Sequence, residues 1–105
     1  MDNFKIIYRI LKLLEGLMDV DEPDFSCLDA EHLGISPARW RALMNMLVNE
    51  GYISGVRIVR AKMMEEVLLI HPQITLAGLT YLEENSLMQR AYRLAKGIKD
   101  VTPGF

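Results

Sequence analysis

The sequence is short of the residues that small domains use as staples, and each shortage removes a class of function. There is one cysteine, Cys27, so no internal disulfide can close and no CxxC spacing exists for a structural metal. His32 and His71 fall on different segments with no Cys or Asp at ligand spacing, so no metal is expected. No apolar run approaches the ~18 residues of a membrane span, and Asp2 and Asn3 stand where a signal peptide would carry basic residues. There is no glycine-rich phosphate loop, no paired-carboxylate motif and no nucleophile beside a base, so neither catalysis nor a cofactor is expected. These absences describe a cytoplasmic binding or scaffold protein without a membrane association.

What is present is an ordinary globular composition. Of 105 residues, 50% are hydrophobic and 25% charged, enough for one domain with one core. We place that domain at residues 1–101, with 102–105 as a tail. The formal charge is −2 but unevenly spread. Residues 36–64 hold Arg39, Arg41, Arg57, Arg60 and Lys62 against Glu50 alone, a net +4. The 35 residues before them sum to −5, and Glu65, Glu66, Glu83 and Glu84 follow in 65–84 without a cation. A basic centre in an acidic chain concerns partners, not fold.

Hydrophobic spacing orders the elements. Phe4, Ile7, Tyr8, Leu11, Leu14 and Met18 form one helical face over 3–18, and Ile6, Ile10, Leu13 and Leu17 form a second row beside it. So wide an apolar arc calls for cover on two sides, by this chain or by a second copy. Asp19–Asp24 is an acidic turn that lacks the glycine and distal glutamate of a calcium loop. Phe25, Cys27 and Leu28 read as a short extended stretch re-entering the core, with Cys27 as a small hydrophobe. Ala30–Leu33 is a short helix stopped by Gly34. Ser36 and Pro37 are suited to the cap and first position of a longer helix, 37–50, closed by Gly51. Trp40, Leu43, Met44, Leu47 and Val48 make its core face, with Trp40 as the anchor.

Tyr52–Arg60 and Val67–Ile70 read as two strands of a hairpin linked by Ala61–Glu66, with Pro72 ending the second. Thr75 caps a helix carrying Leu76, Leu79, Tyr81 and Leu82 inward. Asn85 and Ser86 break it, and a last helix to about Lys99 turns Leu87, Met88, Ala91, Tyr92, Ala95 and Ile98 inward. Arg90, Arg93, Lys96 and Lys99 complement the dipole at its end. The order is that of an α+β winged helix-turn-helix, mostly helical, with a two- to three-stranded hairpin wing and a C-terminal helix.

That order makes 37–50 the helix that would enter a major groove. With Trp40 and the leucines inward, Ala38, Arg39, Arg41, Ala42, Asn45 and Asn49 face outward. Arg41 and Asn45 lie one turn apart, and these side chains suit guanine and adenine respectively. Arg57, Arg60 and Lys62 on the wing would meet phosphates. The candidate double-stranded DNA site is therefore Arg39, Arg41, Asn45, Asn49, Arg57, Arg60 and Lys62. Five cations imply a salt slope of roughly −4 to −5 per subunit, modest enough that a homodimer through the first and last helices is expected. The competing reading is a protein-interaction module, supported by the double apolar row of the first helix and by Met63-Met64 at the wing tip.

Four stretches carry a family resemblance: Met1-Asp-Asn-Phe-Lys-Ile-Ile-Tyr-Arg-Ile-Leu-Lys12, Leu33-Gly-Ile-Ser-Pro-Ala-Arg-Trp40, Glu50-Gly-Tyr-Ile-Ser-Gly-Val56 and Ile74-Thr-Leu-Ala-Gly-Leu-Thr-Tyr-Leu-Glu-Glu-Asn-Ser86. The last, continuing through Ala91-Tyr-Arg-Leu-Ala-Lys-Gly97, is the most specific. With these the chain resembles the YjcQ-like proteins, small uncharacterised winged helix proteins of bacteria and phages. The resemblance implies a winged helix in a Gram-positive bacterium or its prophage. It transfers no site residues.

Overall fold

A computed structural model of the chain describes residues 2–95. The elements are α1 (Asn3–Leu17), a 3-10 turn (Phe25–Leu28), α2 (Ala30–Leu33), α3 (Pro37–Asn49), β1 (Ile53–Ala61), β2 (Met64–Ile74) and α4 (Leu76–Ala95). Helices, a two-stranded antiparallel hairpin and a C-terminal helix in this order form an α+β winged helix. The expected 102–105 tail, and the helix end toward Lys99 with Lys96 and Ile98, lie outside the described residues. So do the side chains of 88–90, 92, 93 and 95.

α1 starts where the Asp2 carboxylate accepts from the Phe4 amide at 2.9 Å. Its buried residues are Ile6, Ile10, Leu11 and Leu14, so the core follows the seam between the two apolar rows. Phe4 and Met18, at the ends of the first row, project into solvent. α4, β2 and α3 of the same chain pack around this helix, which accounts for its wide apolar arc.

The stretch after the acidic turn is helical, not extended. The Asp24 carboxylate accepts from Ser26 N–H at 3.0 Å, and the Asp29 amide donates to Ser26 O at 3.2 Å, closing a 3-10 turn. Asp29 then caps α2 by accepting from His32 N–H at 2.8 Å and also lies 2.7 Å from His32 Nδ1. Each carboxylate is held below its ordinary pKa first by the backbone N–H it accepts from. Gly34 takes φ +71° beyond α2, and Ser36 Oγ accepts from Arg39 N–H at 3.1 Å to start α3 with Pro37 in its first turn. Leu43, Met44 and Leu47 of α3 are buried. Trp40 is half-buried, and its indole N–H donates to Leu28 O at 2.6 Å, tying the turn to α3.

The hairpin is longer than the apolar runs suggest. Ala61 pairs with Met64, so Lys62 and Met63 alone make the turn, with Lys62 at φ +51°. Glu65 and Glu66 are strand residues, paired with Arg60 and Val59. Pro72 does not end β2. The register passes from Ser54↔Gln73 to Val56↔Leu69, leaving Gly55 opposite Ile70–Pro72 in a bulge where proline removes no ladder bond. Gly55 has φ +74°, and a Cβ there would meet His71 O at 1.9 Å. No third strand is present among the described residues.

Thr75 accepts from Gly78 N–H at 3.1 Å, capping α4 as its position suggests. The break expected at Asn85 and Ser86 is absent. Asn85 Nδ2 donates to Tyr81 O, one turn back, at 2.9 Å, and α4 runs on through both residues. Leu82 is buried and Leu79 and Tyr81 half-buried, but Leu76, Leu87 and Ala91 are exposed rather than inward, and Leu94 is exposed too. At ~1.5 Å per residue this helix is about 30 Å long. No helix among the described residues is long and apolar enough to cross a membrane.

Candidate nucleic-acid interface

The α2–turn–α3 unit fixes which way α3 faces. Burial of Leu43, Met44 and Leu47, with Trp40 anchored to Leu28 O, leaves Ala38, Arg39, Ala42, Met46 and Asn49 exposed on the opposite side. Arg41 and Asn45 are half-buried on its flank, not fully outward. The helix carries no acidic residue from Pro37 to Asn49.

Three polar side chains of this surface, Arg39, Asn45 and Asn49, are already engaged. The Arg39 guanidinium donates to Asn3 Oδ1 at the start of α1. Asn49 Nδ2 donates to Asn45 Oδ1 at 3.3 Å, and Asn45 Nδ2 donates to Glu65 Oε1 at 2.7 Å. The other oxygen of Glu65 accepts from Arg60 Nε at 3.2 Å. One β2 carboxylate therefore joins α3 to the hairpin. The Arg60 side chain is 84% exposed and that of Glu65 31%, so the ion pair is solvated and contributes about 0–1 kcal/mol.

The wing cations do not point together. Successive strand residues alternate faces. Ile58 and Arg60, opposite Val67 and Glu65, lie on the side toward α3. Arg57, opposite Leu68, lies on the other side with Val59 and Glu66. Lys62 is exposed in the tip beside Met63, which is 99% exposed. So the fold brings Asn45, Asn49 and Arg60 into one network through Glu65, ties Arg39 to Asn3 instead, leaves Lys62 at the exposed tip and turns Arg57 to the other face.

Glu65 is the interface residue that sequence reasoning missed. Treating Ala61–Glu66 as a loop hid it. A two-residue turn at Lys62–Met63 would have paired Glu65 with Arg60.

Among known proteins, the family described as YjcQ protein matches residues 8–101. An uncharacterized protein YjcQ from Bacillus subtilis (strain 168) is 32% identical over 101 residues, spanning 95% of this chain and 97% of that protein. No solved structure matches.

Proposed function

The chain belongs to the YjcQ family, and we propose that it is a winged helix DNA-binding protein of the cytoplasm, a prophage-associated transcription regulator. The observation that carries this reading is α3. It is the second helix of a helix-turn-helix, its free side bears Arg39 and Asn49 with Arg41 and Asn45 at the flank, and it has no carboxylate of its own. In a major groove the asparagines are matched to adenine, and each arginine reads guanine or clamps the phosphate beside it. Lys62 at the wing tip reaches the backbone of the adjacent phosphates, and Arg60 joins it when it leaves Glu65. Arg57 is better placed to discourage sheet-edge pairing than to meet the same duplex.

Arg39, Arg41 and Lys62 would neutralise about three phosphates per subunit, for a salt slope near −2.7. Binding that weak needs two copies on one site. The homodimer is supported by the exposed Leu87 and Leu94 of α4, with exposed Phe4 at the start of α1. The test is fluorescence anisotropy of a labelled duplex at low salt. Wild-type protein binds, and Arg39→Ala/Arg41→Ala loses most of the affinity. Absent binding, or binding indifferent to the double substitution, overturns the proposal.

A second reading is supported by Met63, Met64 and Met46, all exposed. Flexible apolar side chains at the wing tip and on α3 suit a protein partner. Elution from heparin at low salt, with duplex binding absent, would favour this protein-interaction module.

A further inference from the structure

A cavity of about 390 Å³ opens where the end of α1, the acidic loop, the 3-10 turn and the bulge of β2 meet. Its floor is apolar: Leu14 is buried, and Leu17 and Phe25 are half-buried. Two further residues at its mouth, Met18 at 61% and Val20 at 48% exposure, are apolar side chains in a loop otherwise made of acids and a proline. Each keeps about half or more of its surface in contact with water.

The polar part of the lining has one sign of charge. Asp21 contributes a carboxylate that has no ion-pair partner among the described residues, and no lysine or arginine lines the cavity. The far wall is β2 where the bulge turns it off register. There the His71 ring meets Phe25 edge-on, with centroids 6.3 Å apart and planes at 87°, and Gln73 Nε2 lies 3.1 Å from His71 Nε2. An apolar floor, an aromatic wall and one carboxylate at the lip, in a volume within the usual range for small-molecule pockets, define a ligand chemistry. The apolar part of a ligand would cover the floor and Phe25 while a cationic group stays at the wet rim.

We propose that this cavity binds a small organic ammonium compound with an aromatic or branched apolar body, the body against Leu17 and Phe25 and the ammonium on Asp21. The inference is independent of DNA binding, since no residue of the α3 surface lines the cavity.

Two probes of one size and opposite charge test it: 2-phenylethylamine and 3-phenylpropionate, titrated into the whole chain and followed by backbone amide NMR at neutral pH. The amine is expected to produce saturable shifts centred on Leu17, Phe25, His71 and Gln73, with 3-phenylpropionate at least about tenfold weaker. Asp21→Asn, at an exposed loop position, should leave the spectrum folded and weaken the amine about two- to fivefold, the loss expected for a solvated ion pair. Val20→Trp should block the mouth and weaken both probes. No saturable shift at these amides, equal binding of the two probes, or an amine affinity unchanged in Asp21→Asn overturns the proposal.

Discussion

Glu65→Gln is the substitution on which the DNA reading makes its sharpest demand. The amide keeps the shape and an oxygen to accept from Asn45, but it removes the charge that holds Arg60. The wild-type surface offers about three phosphate contacts, from Arg39, Arg41 and Lys62, for a slope near −2.7. A released Arg60 makes four, near −3.6. Over a fourfold rise in salt the affinity then falls about 150-fold in the variant, against about 40-fold in wild type. Removing the carboxylate also relieves its repulsion of nearby phosphates, a gain largest at low salt and lost as salt screens it. At low salt the variant should therefore bind several-fold more tightly. Because the Arg60 pair is solvated, thermal stability should change little. Glu66→Gln is the control, since Glu66 pairs with Val59 on the face turned from α3. Duplex anisotropy across a salt series reads both quantities. Equal effects of the two substitutions, or a slope unaltered by Glu65→Gln, would refute the argument that this carboxylate restrains the binding face.

Gly55→Ala should cost about 2–4 kcal/mol in urea unfolding, combining left-handed backbone strain with the overlap on His71 O. Gly51→Ala, at φ +74° but with open space around it, should cost only about 1–2 kcal/mol, and equal midpoints would remove the close-approach argument. Trp40→Phe leaves Leu28 O without its donor and should destabilise by about 1–3 kcal/mol in the same assay. Asp29 has a lowered folded pKa, so its stabilisation is present above the ordinary carboxylate range and disappears as pH falls through the folded value. The gap in urea midpoint between wild type and Asp29→Ala should accordingly be full near neutrality and close below about pH 4; a gap that widens on acidification would contradict the cap.

What could be read from sequence is what is settled within a few residues of itself. Ser36 with Pro37, Gly34, Gly51 and Thr75 mark helix ends because each satisfies or releases backbone groups no more than four residues away. Two of the misreadings are local as well but turn on which nearby group a side chain chooses, and the third depends on the opposite strand. Asn85 looks like a helix breaker by propensity, but its amide reaches Tyr81 O and the helix continues. Pro72 looks like a strand terminator, but the bulge across from Gly55 excuses it from donating. Phe25–Leu28 looks extended by composition, but the Asp24 cap winds it. In each case the missing information sits in a partner group that spacing alone does not reveal.

The candidate site divides the same way. Which residues α3 carries is a local fact, and so is the phase that turns Leu43, Met44 and Leu47 inward. Whether its neighbours make a basic surface is not local, because it depends on strand register. One residue of slip in the hairpin would exchange the faces of Arg57 and Arg60 and take Glu65 off Asn45. The two-residue turn at Lys62–Met63 holds that register at one end and the Gly55 bulge at the other. The charge count of 36–64 therefore overstates the surface it describes. Five cations share a short segment, but the register sends one to the far side of the wing and gives another to a carboxylate. On the DNA reading, an acid on β2 would then set duplex affinity as much as any arginine on α3.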